Sequence, residues 1–201
     1  MPGQHDVYRF TLDEAKRMYF DFLSATTSYD NYYLRWTLSG PLGEVVSNRP
    51  FRASDSSDGT SILDLGPGEY TLTVHAPTDT SYAADITGSY GFRLLDLAAA
   101  TPLALDTTVS SSFDPAAETD AYRFTAEAGQ AYFFDITARS GGDAYWRLLD
   151  PFGRPVFGPS NFNNPTSYDV GPLTLAYAGE YTLLVESRYY QTAAQTYSLR
   201  V

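Results

Sequence analysis

Asp6-Val7-Tyr8-Arg9-Phe10-Thr11 and Asp120-Ala121-Tyr122-Arg123-Phe124-Thr125 are one phrase written twice in a single chain. Within each, Tyr and Phe face one way while the flanking residues face the other, the two-residue period of a strand lying on a sheet. Outward from this phrase the correspondence continues. Tyr19-Phe20-Asp21 returns as Phe133-Phe134-Asp135, and Trp36-Thr37-Leu38-Ser39-Gly40-Pro41-Leu42-Gly43 as Trp146-Arg147-Leu148-Leu149-Asp150-Pro151-Phe152-Gly153. Gly68-Glu69-Tyr70-Thr71-Leu72 returns as Gly179-Glu180-Tyr181-Thr182-Leu183. With Tyr90 returning as Tyr197, the matches keep their order at offsets of 107 to 114 residues, so a domain of roughly one hundred residues is duplicated. Copy one is placed at 5–97 and copy two at 101–201.

Alternation runs through both copies. Met18/Phe20/Phe22, Leu34/Trp36/Leu38, Tyr70/Leu72/Val74 and Tyr90/Phe92/Leu94 set the apolar face of copy one. Tyr122/Phe124, Tyr132/Phe134/Ile136, Trp146/Leu148, Tyr181/Leu183/Val185 and Tyr197/Leu199/Val201 do so in copy two. Gly40-Pro41-Leu42-Gly43 and Asp150-Pro151-Phe152-Gly153 put proline where a tight turn needs a fixed φ. Leu12–Arg17 and Ala126–Gln130 read as connecting loops. Many short, turn-bounded strands predict an all-β chain of two tandem antiparallel β-sandwiches, with Trp36 and Trp146 in equivalent buried positions.

Composition narrows the partners. With 24 acidic against 13 basic residues the net charge is -11, which repels phosphate backbones and excludes nucleic acid. Cysteine is absent, so there is neither a disulfide framework nor thiolate chemistry. No run approaches the roughly 18 apolar residues of a membrane-spanning helix, and Met1–His5 lacks the basic and apolar regions of a signal peptide.

The copies differ in their loops. Fourteen residues separate Asp21 from Trp36 but ten separate Asp135 from Trp146; nineteen separate Tyr70 from Tyr90 but fifteen separate Tyr181 from Tyr197. Copy two is preceded by a leader, Thr101–Asp114, with Leu103, Leu105, Val109 and Phe113 spaced to enter strands, while five residues precede Asp6. This spacing predicts that the sequence starts inside a repeat, and that copy one lacks an N-terminal strand and keeps an open sheet edge.

Candidate chemistry is sparse. His5 falls in a terminal segment read as disordered, and His75 aligns with Glu186, so no imidazole recurs and a serine nucleophile lacks its base. Asp6/Asp120 and Asp21/Asp135 recur within framework motifs. The first pair is read as capping backbone donors just before a strand, the second as pairing with Arg9 and Arg123. Ser54–Ser61, with Asp55 and Asp58, gathers carboxylates, hydroxyls and a glycine of the kind that binds calcium, and only copy one carries it. Among aromatics outside the apolar faces, Tyr29, Tyr32, Tyr33, Tyr189 and Tyr190 are the candidates for stacking on a ligand.

Taken together, Thr119–Gln130, Trp146–Gly153 and Gly179–Val185, with the leader Thr101-Pro102-Leu103-Ala104-Leu105, resemble the bacterial pre-peptidase C-terminal (PPC) domain and its relatives. Copy two matches along nearly its whole length. Copy one is looser, with Asp13-Glu14-Ala15-Lys16 at the family's Ala-Gly-Gln turn. The resemblance implies a jelly-roll-like sandwich in a large secreted or cell-surface protein. It also implies an accessory, non-enzymatic role, structural or adhesive, beside neighbouring repeats of the parent protein. The alternative is a module that binds extracellular carbohydrate or protein, with or without calcium. No cofactor is required under either reading.

Overall fold

The computed structural model describes residues 5–27, 34–54, 61–76, 87–162 and 169–201. The chain forms two compact units, Met1–Ala98 and Ala99–Val201. Unit 1 contains β1 (His5–Leu12), β2 (Lys16–Thr27), β3 (Arg35–Gly40), β4 (Gly43–Pro50), β5 (Ile62–Leu65), β6 (Gly68–His75) and β7 (Gly88–Asp96). These make one sheet of order β1-β6-β3-β4 and a second of order β5-β2-β7. Phe20 of β2 stacks on Trp36 of β3 at 4.0 Å between ring centroids, closing the two sheets into a sandwich.

Unit 2 repeats this plan. Its β10 (Thr119–Ala126), β11 (Ala131–Ser140), β12 (Ala144–Leu149), β13 (Pro155–Asn161), β14 (Val170–Thr174), β15 (Gly179–Ser187) and β16 (Gln195–Arg200) stand for β1 to β7 in order. Two further strands precede them, β8 (Thr101–Pro102) and β9 (Val109–Phe113). The sheets are β13-β12-β15-β10-β8 and β14-β11-β16-β9, so each sheet of the shared plan gains one strand at its edge. All ladders are antiparallel except the short pairing of β8 with β10.

The recurrent motifs have physical reasons. Trp36 and Trp146 are both 0 % exposed, each in the middle of its core. Gly68 and Gly179 adopt φ of 139° and 137°, a conformation that disfavours side chains. A Cβ on either would also collide with the turn proline, at 2.7 Å from Pro41 and 2.9 Å from Pro151. Proline turn and glycine therefore recur as a pair. Two residues on, the Tyr70 hydroxyl donates to the carbonyl of Gly66 at 2.9 Å, and the Tyr181 hydroxyl to that of Tyr177 at 3.0 Å. Each ring thus fills the core while its polar tip ties down the loop before the strand.

One expectation fails in detail. Alternation gives β2 one polar face, yet Tyr19 and Asp21 are as buried as Met18, Phe20 and Phe22. The carboxylate of Asp21 survives there because Arg93, directly across on β7, donates to it at 2.7 Å.

Candidate functional site

Tyr29, Tyr32, Tyr33, Asp55 and Asp58 lie outside the described residues. Among the described residues no group of three or more His, Cys, Asp or Glu is placed to hold a metal ion, and no helix is long and apolar enough to cross a membrane.

Tyr189 and Tyr190, in the loop after β15, do come together. Their rings meet edge to face at 5.2 Å, and Tyr190 is 45 % exposed. Beneath them is a residue that sequence reasoning passed over. The buried guanidinium of Arg188 sits 5.1 Å from the ring of Tyr145, 6.0 Å from Tyr189 and 5.2 Å from Tyr190. The Tyr190 hydroxyl donates to Asp143. Partial burial and this bond to a carboxylate push the phenol up to about 12. Three rings around one cation make an aromatic platform, of which Tyr190 is the exposed member. The tandem tyrosines were the visible signal; the arginine before them and Tyr145, distant in sequence, were not.

On the outer face of the same unit, Arg147 and Glu186 form a buried two-pronged ion pair, at 2.8 Å and 2.7 Å. The equivalent residues of unit 1 are Thr37 and His75, linked by a long contact of 3.4 Å. His5 is not in a loose terminus: it belongs to β1, opposite His75, with ring centroids 5.6 Å apart.

Both recurrent aspartate pairs are placed differently from the sequence reading. Asp6 and Asp120 are second residues of β1 and β10, not residues before a strand, and each accepts a hydrogen bond from a tyrosine of the opposite sheet. Tyr90 donates to Asp6 at 2.6 Å and Tyr197 to Asp120 at 2.5 Å. A second tyrosine completes each group, with Tyr8 2.9 Å from Tyr90 and Tyr122 2.6 Å from Tyr197. Burial, then the neighbouring carboxylate, raises the Tyr197 phenol far above its ordinary range; Tyr90 is raised for the same reasons. Asp21 and Asp135 pair with Arg93 and Arg200 rather than with Arg9 and Arg123. The reason is register: Asp21 faces Arg93 and Asp135 faces Arg200 across the β2/β7 and β11/β16 ladders. Arg123 turns instead to Glu180 and to the carbonyl of Ala100.

No family model matches this chain, and no curated protein matches it. Solved structures do. The CUB1-EGF-CUB2 domain of human MASP-1/3 is 10 % identical, with 99 % of this chain and 95 % of that one covered, at a TM-score of 0.28. The CUB1-EGF-CUB2 domains of rat MASP-1 are 11 % identical over 100 % of this chain and 92 % of that one, at 0.28. The plant receptor-like kinase FER is 10 % identical over 98 % and 81 %, at 0.25.

Proposed function

We propose that this chain is a non-catalytic structural or adhesive module, two tandem β-sandwich repeats of the pre-peptidase C-terminal kind from a large extracellular or cell-surface bacterial protein. The observation that carries this reading is where the shared aspartates go. Asp6 and Asp120 end on tyrosine hydroxyls, and Asp21 and Asp135 end on arginines of the facing strand. These four aspartates, common to the two copies, therefore tie each sandwich together. A repeat stapled in this way keeps its shape under load, which is what a spacer or adhesin needs, and neighbouring repeats are its natural partners. Stretching the full chain between terminal handles tests the proposal. Two separate force-resisting events are expected, each releasing roughly 100 residues at about 3.3–3.6 Å apiece. A chain that extends without resistance overturns it. So does turnover of glycosidic or peptide substrates that disappears in Asp135→Asn.

A second reading, a carbohydrate- or protein-binding accessory module, is favoured by the Tyr145, Tyr189 and Tyr190 rings around Arg188. Glycan and extracellular-protein arrays, probed with and without calcium, test it. Binding that Tyr190→Ala abolishes supports it, and binding that Tyr190→Ala leaves intact removes the platform as its site.

A further inference from the structure

The dipeptide Asp–Pro occurs twice in the chain, at 114–115 and at 150–151. An aspartate carboxylate reaches its own backbone carbonyl carbon through a five-membered ring, so its attack there is intramolecular. The proline nitrogen, a tertiary amide, takes up the carboxyl proton and leaves as a secondary amine. One C–O bond forms, the C–N bond breaks, and a cyclic anhydride remains on the aspartate. Water then opens the anhydride to two carboxyl groups, so the net change is hydrolysis of the peptide bond. Acid favours this step, because the leaving nitrogen needs the proton of the carboxyl.

The fold treats the two occurrences oppositely. Asp150, in the turn after β12, is buried with both carboxylate oxygens occupied. Its Oδ1 accepts the N–H groups of Phe152 and Arg154, each at 2.9 Å, and its Oδ2 accepts Nε of Arg154 at 2.8 Å. Burial acts to raise this carboxyl, yet Arg154 and the two backbone donors hold it below the usual carboxylate range. Any attack by Asp150 must first break those bonds. Asp114 and Pro115 are both exposed, and the Asp114 carboxylate accepts no hydrogen bond among the described residues. The backbone on either side of that bond is held: Asp114 N–H donates to Oε1 of the buried Glu118 at 2.8 Å, and Glu118 N–H to the carbonyl of Pro115 at 2.9 Å. The turn is thus fixed while the Asp114 side chain stays at liberty to meet its own carbonyl. This bond also joins β9 to β10, so it carries the main chain from residues 1–114 into the rest of unit 2. Strand β9 pairs with β16 from Val109 opposite Leu199 to Phe113 opposite Gln195, and Phe113 is buried. A cut at 114–115 therefore leaves both pieces seated and turns a covalent tether into a noncovalent one.

We infer that Asp114–Pro115 is a self-cleavage site, at which acid lets the chain sever its own tether between β9 and β10. The substrate is the chain itself, and water is the co-reactant. The Asp114 carboxyl is the nucleophile and the source of the proton, while Asp150 is kept from the same reaction by Arg154 and the turn. As an acid-triggered release point the site deepens the adhesive reading and rests on it.

The test holds the full chain at the lowest pH that leaves its tryptophan fluorescence native and follows the products by mass spectrometry. Fragments 1–114 and 115–201 are expected, with the 150–151 bond cut roughly ten- to a hundredfold more slowly. In denaturant at the same pH the two bonds should be cut at similar rates, since the fold no longer shields Asp150. Asp114→Asn and Asp114→Glu, both at an exposed position, should abolish the first cut: the amide supplies no acid proton, and the longer side chain must close a six-membered ring. Arg154→Ala should bring in a second cut at 150–151. Back at neutral pH the two fragments should elute together and part in denaturant. A folded chain that is not cut, or is cut no faster at 114–115 than at 150–151, overturns the inference. So does a cut that survives Asp114→Asn. A chain that cuts but extends without resistance keeps the site and loses the adhesive reading; one that resists stretching and is not cut does the reverse.

Discussion

On the outer face of the strand pair that carries the central tryptophan, unit 2 buries Arg147 against Glu186, while unit 1 sets Thr37 beside His75 in half-open surroundings. At the other side of the fold the contrast continues. The Asp120–Tyr122–Tyr197 group lies under β9, and the Asp6–Tyr8–Tyr90 group has no strand in that place among the described residues. The framework is common; the two differ in how far the polar groups are withdrawn from water. A hydrogen bond or ion pair matters more as its surroundings lose water, because a partner left unpaired cannot turn to solvent. The same bond should therefore cost more to break in unit 2 than in unit 1.

The largest effects should be alike in the two units and so set the scale. Trp36→Ala and Trp146→Ala should each cost about 3–5 kcal/mol through the cavity left behind, measured by denaturant unfolding. An exposed-residue value for either would break the equivalence of the two cores. The outer faces should then part company. Glu186→Ala leaves the Arg147 guanidinium buried without its two-pronged partner and should cost about 3–5 kcal/mol. His75→Ala should cost less than about 1 kcal/mol. Grafting unit 1's pair into unit 2, as Arg147→Thr with Glu186→His, should cost less than the two single changes summed, since neither charge is then stranded.

Smaller differences belong to the tyrosine groups. Tyr197→Phe strips a donor from Asp120 beneath β9 and should cost about 1.5–3 kcal/mol; Tyr90→Phe, whose partner Tyr8 is 43 % exposed, about 0.5–1.5 kcal/mol. Equal losses would mean that the coverage by β9 is energetically idle. The smallest effect is one of pH. Burial raises the folded-state pKa of Tyr197 and Tyr122 above the ordinary 10.0. Their contribution to stability is thus complete below pH 10 and is lost as pH rises from there toward the folded value, because the unfolded chain ionises first. Tyrosinate absorbance should show Tyr190 titrating reversibly near its value of about 12 while the chain is still folded. Tyr197 and Tyr122 should ionise only as unit 2 unfolds.

Much of this fold is legible in the residues alone. Period-two alternation marks the strands that carry Trp36 and Trp146, because a pleated strand with one buried face leaves that trace whatever surrounds it. The turn at Pro41 and the glycine at position 68 are legible for a similar reason, since each answers a local backbone demand. The partners of Asp21 and Asp135 were not legible. Their arginines, Arg93 and Arg200, lie 72 and 65 residues away, and only the β2/β7 and β11/β16 registers bring them opposite. Strand β2 was misread on one face because alternation reports polarity, and a polar residue such as Asp21 is buried once a cation meets it there.

The sequence by itself determined that the chain is a duplicated, all-β, acidic protein with two tryptophan-centred cores, since composition, repeat spacing and alternation are properties of neighbours along the chain. Tertiary structure alone decided that Asp6 and Asp120 meet tyrosines of the opposite sheet, and that Arg188 gathers three aromatic rings. It also decided that residues 101–113 of unit 2 pair along β10 and β16 as one added strand on each sheet. Each of these joins residues far apart in sequence through strand register and sheet packing, and neither register nor packing leaves a mark on the residues between.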